Sequence, residues 1–358
     1  MISELGRDLR PIAKGVIASV CYPAAAIALR KLQPFIVSYH RVVEHFASSA
    51  QSSLPGMLVS RSMFERQLDW LGRHFRLVSL DEIGKRLESG EPFEQPVAAI
   101  TFDDGYRDVY EHACPVLLRK GIPATFFVVT ELVGQASWQI YDRLYHVLTQ
   151  GFAAWSAPND RLNQVLKSLA VGGRDGLTTA VARHPADWTA KLLTLLSQGD
   201  VLRVIGALEA QMKDRAVEIP PLLNWDHITA LRRAGFTFGS HTKTHVWLSQ
   251  ERPERVADEL VGSKLELERR LGEPVLHFAY PAGCFAPHVV QAVAEAGYPY
   301  AYTICRHRSA AHPRLSIPRE VLWEHSATDA AGRFAPAIFG CQARGLFSAS
   351  NKCVQAHA

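Results

Sequence analysis

The chain of 358 residues carries 39 Lys and Arg against 35 Asp and Glu, and 47% of its residues are hydrophobic. This length and composition fit one large globular domain or two smaller ones with ample material for a core. The net charge of +4 is small and no basic arm or stripe is present, so a nucleic-acid partner is not favoured. The six cysteines include no Cys-x-x-Cys pair, which argues against a zinc ribbon or a disulfide framework.

The N-terminal region contains an apolar run, GVIASVCYPAAAIAL at residues 15–29, with basic residues on both sides. The run is shorter than the ~20 residues that a membrane-spanning helix needs. It could be the apolar part of a signal peptide, but Pro23 interrupts it. We therefore interpret residues 1–34 as an apolar helical segment that packs on the domain, or that associates with a membrane surface through residues 1–31. A cytoplasmic or inner-membrane-associated location is favoured over export.

After this segment, short apolar runs alternate with helical patterns. Ser62 with Glu65, and Ser79 with Glu82, have the spacing of helix capping boxes. The predicted elements are strand 35–39, helix 63–74, a helix from Ser79 to Gly90, strand 97–102, helix 108–120, strand 124–130, helix 226–234, strand 236–240, helix 254–271, strand 275–280, helix 286–296 and strand 300–304. Strands separated by helices indicate βαβ units and a mainly parallel sheet or barrel.

The segment 140–222 interrupts this alternation. It is rich in Ala and Leu and is predicted to form several helices without a strand, as an insertion on the βα scaffold. The predicted organisation is therefore an N-terminal segment at 1–34, one α/β domain at 35–326 that contains the insertion, and a C-terminal tail at 327–358.

Two short stretches at predicted strand ends carry ionisable side chains. TFDDG at 101–105 places Asp103 and Asp104 directly after an apolar run, although Asp-Gly is also common turn chemistry. SHTKTH at 240–245 places His241 and His245 four residues apart, so that both can reach one metal ion. A lone pair of histidines at this spacing is weak evidence, because surface histidines often have it.

The positions of these stretches strengthen the interpretation. The carboxyl ends of parallel strands open onto one face, where active sites of βα proteins lie. His40 follows the first predicted strand, and Tyr280 ends the strand at 275–280. Two histidines and one carboxylate form a three-ligand site that leaves positions open for water or substrate. Zn²⁺ is the default ion for such a set of ligands, and Co²⁺, Ni²⁺ or Fe²⁺ also suit it.

TFDDG followed by SHTKTH resembles the first two motifs of the polysaccharide deacetylase family, the NodB-homology or carbohydrate esterase family 4 type. YHRV, FAYPAG and IPR are further landmarks, and the resemblance extends from Ile36 to Leu322. It implies a distorted (β/α) TIM-like barrel that removes acetyl groups from an N-acetylated sugar with the help of a metal ion.

The resemblance also implies roles for individual residues. Asp104, His241 and His245 match the metal ligands, and Asp103 matches the general base. The FAYPAG loop, with Tyr280 and Ala282, is placed to contribute a backbone N–H to an oxyanion hole.

The sequence departs from the family pattern at two points. The late Leu-x-His motif of many relatives is missing, and His325 in WEHSA lacks its context, so His40 in SYHRV is the candidate proton donor. This arrangement is similar to that of relatives with circularly permuted motif order. Where relatives have Arg-Pro-Pro-Tyr, this chain has Ala-Tyr-Pro-Ala, and Arg319 in IPRE is the candidate that orients the base. His40 could instead be a core histidine, and Arg319 could pair with another carboxylate.

The leading hypothesis is a metal-dependent hydrolase that removes N-acetyl groups from an acetylated polysaccharide or glycan precursor. One alternative is a barrel that binds glycan or metal without turnover. Another is a deacylase that acts on a different amide or ester.

Overall fold

The structure, a computed structural model, describes residues 33–50, 53–171, 177, 181–212, 219–305 and 307–343. The apolar run at 15–29 lies outside these residues, as does the tail beyond residue 343. Within the described ranges, no helix combines the length and the apolar character that crossing a membrane requires.

Parallel strands form the centre of the molecule. They are β1 Phe35–Tyr39, β2 Arg41–Val43, β3 Leu58–Ser60, β4 Arg76–Leu77, β5 Val97–Phe102, β6 Ala124–Val128, β7 Thr237–Ser240, β8 His277–Ala279, β9 Tyr300–Thr303, β10 Ile317–Pro318 and β11 Glu320–Val321. The main sheet has the order β10-β9-β8-β7-β6-β5-β1-β11, with β4 also paired to β5, while β2 and β3 pair separately. The predicted strands are all present, whereas β2, β3, β4, β10 and β11 were not predicted because two or three residues carry no periodic signal.

One short segment brings the two edges of the sheet together. β10 pairs with β9 and β11 pairs with β1, and only Arg319 separates β10 from β11. The Arg319 backbone N–H donates to the Thr303 carbonyl at 2.7 Å. The sheet therefore forms a nearly closed barrel surrounded by helices, and the predicted (β/α) barrel is confirmed.

Helices follow most of the strands. They are α1 Phe46–Ser49, α2 Arg61–His74, α3 Leu80–Ser89, α4 Cys114–Lys120, α5 Ile140–Ala154, α6 Pro158–Ser168, α7 Pro185–Leu195, α8 Gln198–Glu209, α9 Trp225–Arg233, α10 Pro253–Leu271, α11 Pro287–Glu295 and α12 Pro336–Ala343. The predicted start of α3 is confirmed, since the Ser79 hydroxyl accepts from the Glu82 N–H.

The predictions for α2 and α4 need correction. Ser60, not Ser62, caps α2, because Ser60 keeps the extended backbone of β3 while its hydroxyl accepts from the Met63 N–H at 3.2 Å. The predicted helix 108–120 begins with a π-helical turn over 109–113 before α4. Pro115 at the start of α4 has no backbone N–H, so it cannot continue the regular ladder of α-helical hydrogen bonds.

The described part of the insertion is helical, as expected, and contains α5 to α8. These helices enclose a hydrophobic cluster of their own, with Trp188 fully buried at its centre. The Trp188 indole donates to the Asn159 side-chain oxygen at 2.7 Å. The insertion therefore has its own core while it packs on the barrel.

Successive side chains of a strand point alternately towards the surrounding helices and into the barrel. In β1, Val37 and Tyr39 join the core beneath the surrounding helices, whereas Ile36 joins the cluster inside the barrel. Ser38, which faces the same side as Ile36, reaches Asp103. The period of two residues thus directs polar side chains towards the carboxyl ends of the strands, where the candidate site lies.

Candidate active site

Asp103 is held by charge-assisted hydrogen bonds at the end of β5. The Arg319 guanidinium donates to its two carboxylate oxygens, at 2.7 Å to Oδ1 and 2.8 Å to Oδ2. The Ser38 hydroxyl donates to Oδ2 at 3.0 Å. Arg319 also donates to the Thr101 hydroxyl at 2.9 Å. The structure therefore brings Arg319 to the carboxylate that the sequence predicted as its partner, in the two-pronged geometry that favours an ionised acid.

Asp104 points to a different set of partners, because its backbone is left-handed, with φ of 73°. Its Oδ1 lies 3.2 Å from His245 Nε2 and 3.5 Å from His241 Nε2. Ligand atoms of the three side chains all lie within 4.8 Å of one another. The two adjacent carboxylates are thus separated into different environments, and Asp104 meets the two histidines as predicted.

These three side chains fit a divalent cation. Asp104 Oδ1 is buried and has no hydrogen-bond partner among the described residues. His241 Nδ1 lies 2.7 Å from the Ala279 carbonyl. Because that carbonyl can only accept, Nδ1 carries the proton and Nε2 is left with a free electron pair. A buried carboxylate oxygen and imidazole nitrogens around one point are typical ligands of Zn²⁺ and its neighbours.

Burial and charge together set the protonation states. Burial raises the pKa of Asp103, but Arg319, together with His241 and His40, outweighs this effect, and the net pKa is below the usual value. Burial likewise raises the pKa of Asp104, and the neighbouring histidines, His245 first, reverse the shift and leave a lowered pKa. Burial lowers the pKa of His241 to about 4. At neutral pH the site therefore contains two ionised carboxylates and a neutral His241, the states that a base and a metal centre require.

The loop that carries both histidines is anchored by Glu259, which the sequence analysis missed. Glu259 is 1% exposed on α10. Its carboxylate accepts from the Lys243 N–H at 2.9 Å, the Thr244 N–H at 3.0 Å and the Thr244 hydroxyl at 2.7 Å. The sequence did contain a signal for this contact: a Glu on the buried face of an amphipathic helix. A buried carboxylate needs hydrogen-bond partners, so such a residue is expected to contact polar groups of another element.

Backbone strain is concentrated around the site. Among the described non-glycine residues, φ is positive only at Asp104, Thr242, His245, Ala282 and the distant Ala170. Such conformations cost free energy and are often found where a fold holds functional groups in place.

The structure corrects the role predicted for Tyr280. Its hydroxyl donates to the Leu315 carbonyl at 2.8 Å, and its backbone N–H donates to the Tyr302 carbonyl at 3.0 Å. Because both donors are engaged within the barrel, neither can serve an oxyanion. Ala282, two residues further along, lies in the pocket lining with φ of 54° and remains the candidate donor.

His40 lies in the same pocket as Asp103, His241 and His245. Its Nδ1 is buried and has no hydrogen-bond partner within the described part of the chain. The histidine therefore shares the pocket with the candidate base. His325, by contrast, packs against Phe46 and Trp323, with ring centroids 5.0 Å away in each case.

Tyr141, like Glu259, contacts the site although the sequence did not predict the contact. Its side chain is 3% exposed, and its hydroxyl donates to Asp104 Oδ2 at 2.7 Å. The Tyr106 hydroxyl lies 2.5 Å from that of Tyr141 and donates to Asp142. The Gln139 side chain donates to the Asp104 backbone carbonyl at 3.0 Å. The first turn of the insertion therefore positions the carboxylate opposite the histidines.

We expect Tyr141→Phe to lower metal affinity about 10- to 100-fold, because outer partners of a ligand orient it and adjust its basicity. Competition with a chromogenic chelator measures the change. Tyr145→Phe removes a hydroxyl one turn further along α5, outside the pocket lining, and should leave the affinity unchanged. Equal affinities in the two variants would contradict the positioning role of Tyr141.

The barrel and the position of this site define a class of protein: a (β/α) barrel with an ionisable centre at the carboxyl ends of its strands. The sequence profile described as polysaccharide deacetylase matches residues 90–152 and 179–301, which is more than half of the chain. The chain belongs to the polysaccharide deacetylase family.

Individual curated relatives match shorter stretches of the chain than the family profile does. The poly-β-1,6-N-acetyl-D-glucosamine N-deacetylase of Staphylococcus aureus is 30% identical over 131 residues, 34% of this chain and 44% of the relative. The enzyme of the same name from Staphylococcus epidermidis is 32% identical over 110 residues, 28% of this chain and 38% of the relative. The chain thus matches less than half the length of these curated relatives.

Two solved structures share the fold. The Streptococcus pyogenes deacetylase PplD, in complex with acetate, superposes with a TM-score of 0.53 at 19% identity, covering 85% of this chain and 97% of that chain. IcaB from Ammonifex degensii gives a TM-score of 0.53 at 19% identity, covering 87% of this chain and 97% of that chain. At these identities the likeness supports the barrel fold.

Proposed function

We propose that this protein is a metal-dependent hydrolase that removes N-acetyl groups from an acetylated glycan or glycan precursor. One observation carries the proposal: Asp103, paired with the buried Arg319, lines the same pocket as the two histidines of an Asp–His–His cluster. Membership of the polysaccharide deacetylase family, and the relatives that act as poly-β-1,6-N-acetyl-D-glucosamine N-deacetylases, support the substrate class.

Asp104, His241 and His245 would hold the metal ion, with Zn²⁺ as the default and Co²⁺, Ni²⁺ or Fe²⁺ as substitutes. A bound ion would polarise the acetyl carbonyl and make water more acidic. Asp103 accepts the proton of the attacking water, and Arg319 keeps Asp103 ionised for that task. The backbone N–H of Ala282 is the proposed oxyanion donor.

His40 is the proposed proton donor to the leaving amine, because it lies in the pocket that contains Asp103. The C–N bond then breaks, and acetate and the free amine leave. The circularly permuted motif order fits this assignment, since His40 precedes the TFDDG motif and yet reaches the same pocket.

We expect His40→Ala to lower kcat about 100-fold or more while metal affinity is kept, since general acid catalysis typically contributes 10²–10⁴-fold. Steady-state kinetics and metal analysis of the same preparation measure both properties. The exposed His45 provides a matched control, His45→Ala, five residues further along. Near-normal turnover in His40→Ala would remove this residue from the mechanism.

The proposed activity is tested by incubating the metal-loaded protein with N-acetylglucosamine oligomers and measuring released acetate. The proposal predicts acetate release that a chelator abolishes and added metal restores. Glycan binding without acetate release by the metal-loaded protein would support the alternative of a binding barrel. Release of other acyl groups from compounds that are not sugars, with none from acetylated glycans, would support the alternative deacylase.

A further inference from the structure

The insertion forms one wall of the candidate active site. The pocket has a volume of about 230 Å³, and its catalytic side carries His40, Asp103, His241 and His245. Helix α7 lies opposite and contributes Ala186, Thr189, Ala190 and Leu193 to the lining. The site is therefore not formed by the barrel alone.

Other parts of the pocket lining are also apolar. Leu54 and Met57 line the pocket from the segment before β3, and Ile304 lines it from the end of β9. Ile304 is 41% exposed, so its side chain is accessible from the pocket. Together with α7, these residues place aliphatic groups beside the catalytic side chains, and Trp247 adds an aromatic ring to the lining.

The wall formed by α7 offers few hydrogen-bonding groups to the hydroxyls of a sugar. The charged side chains of the lining are those of the catalytic centre. The hydroxyls of Thr189, Tyr141 and Tyr280 already donate to the Pro185 carbonyl, to Asp104 and to the Leu315 carbonyl. A sugar ring pressed against α7 would bury hydroxyls without partners, which is unfavourable.

We propose that the substrate is a single N-acetylated sugar, or the terminal sugar of a short glycan, that carries an aliphatic aglycone, and that this aglycone lies along the wall formed by α7. The inference rests on the proposed function, because the acetyl group is placed between Asp103 and the Asp–His–His cluster. The sugar and its acetyl group would lie at the catalytic side of the pocket, and an aliphatic aglycone would extend from the sugar over the apolar residues of α7. A pocket with α7 as one wall also accommodates the terminal sugar of a glycan better than a sugar in the middle of a long polymer.

The composition of the N-terminal region agrees with a lipid-linked substrate. Residues 15–29 are apolar and are preceded by Arg7, Arg10 and Lys14. Basic residues beside an apolar run favour contact with an anionic membrane surface, which is where a sugar on a lipid carrier would be found.

The experiment compares kcat/KM for acetate release from alkyl N-acetylglucosaminides of increasing chain length with that from N-acetylglucosamine oligomers. The inference predicts a rise of about fourfold for each methylene that becomes fully buried. Leu193→Gln should flatten this dependence. The matched control is Leu195→Gln, on the same helix but 38% exposed and outside the lining, and it should preserve the dependence.

Thermal unfolding checks that the Leu193 variant folds, and Ala190→Gln is the second test because Ala190 is exposed on α7. A flat alkyl series, with higher kcat/KM on the oligomers, would overturn the inference and leave the proposed function intact. A rise with the length of an N-acyl chain instead of the aglycone would also overturn it. No acetate from any of these substrates, with metal bound, would overturn both.

Discussion

Asp103→Asn is expected to lower kcat about 10²- to 10⁴-fold, the range that general base catalysis contributes, while metal affinity is retained. The amide cannot accept the proton of water. It has nearly the shape of the carboxylate, and its one oxygen can still accept from Ser38 and from one N–H group of Arg319. The metal ligands are on other side chains, so the loss belongs to the chemical step. Acetate release and metal content, measured on the same sample, separate the two effects.

Asp103→Asn is also expected to lower the stability of the protein, and this effect needs a control. Arg319 is 4% exposed and Asp103 is its carboxylate partner, so removing that charge leaves a buried guanidinium without compensation. We expect a lower free energy of unfolding, measured by denaturant titration. Asp69→Asn removes a charge from an exposed pair with Lys120 and should alter neither activity nor stability measurably. Full activity in Asp103→Asn would contradict the role of Asp103 as base.

His245→Ala is expected to have the other large effect, a loss of metal affinity greater than the 10- to 100-fold typical of outer partners. His245 Nε2 is one of the three proposed ligand atoms, and Ala offers none, so acetate release should fall with metal content. Isothermal titration with Zn²⁺ measures the affinity. His288→Ala, on the exposed face of α11, is the control. Unchanged affinity in His245→Ala would place the metal elsewhere.

The positions of the proposed metal ligands and of the proposed base could be predicted because short motifs end buried strands. Strand β5 runs from Val97 to Phe102 as predicted, so Asp103 and Asp104 had to emerge at the carboxyl end. His241 follows β7 in the same way. Parallel strands then bring these distant residues to one face, whatever lies between them in the chain.

The partners of these residues could not be predicted with the same certainty. Arg319 meets Asp103 because the two-residue strands β10 and β11 close the barrel around it, and such strands leave no pattern in a sequence. The contact of Glu259 with the histidine loop depends on how α10 packs on β7. Long-range packing of this kind is invisible to local periodicity.

The insertion was predicted as helical, but its relation to the site was not. Amphipathic patterns show that each helix buries one face, without showing which neighbour covers it. Tyr141 contacts Asp104 and Leu193 lines the pocket, and both follow from the docking of α5 and α7 onto the barrel. The part of the chain that is least typical of a βα scaffold therefore contributes to the shape of the pocket.

The central claim is that Asp104, His241 and His245 bind one catalytic metal ion next to the base Asp103. It is tested most directly by titrating metal-free protein with Zn²⁺ while acetate release from an N-acetylated glucosamine substrate is followed. The account predicts no release at the start and a linear rise that levels off at about one equivalent per chain, as expected for a single three-ligand site. Undiminished acetate release from the metal-free protein, or one bound equivalent with no release from any acetylated substrate, would contradict it.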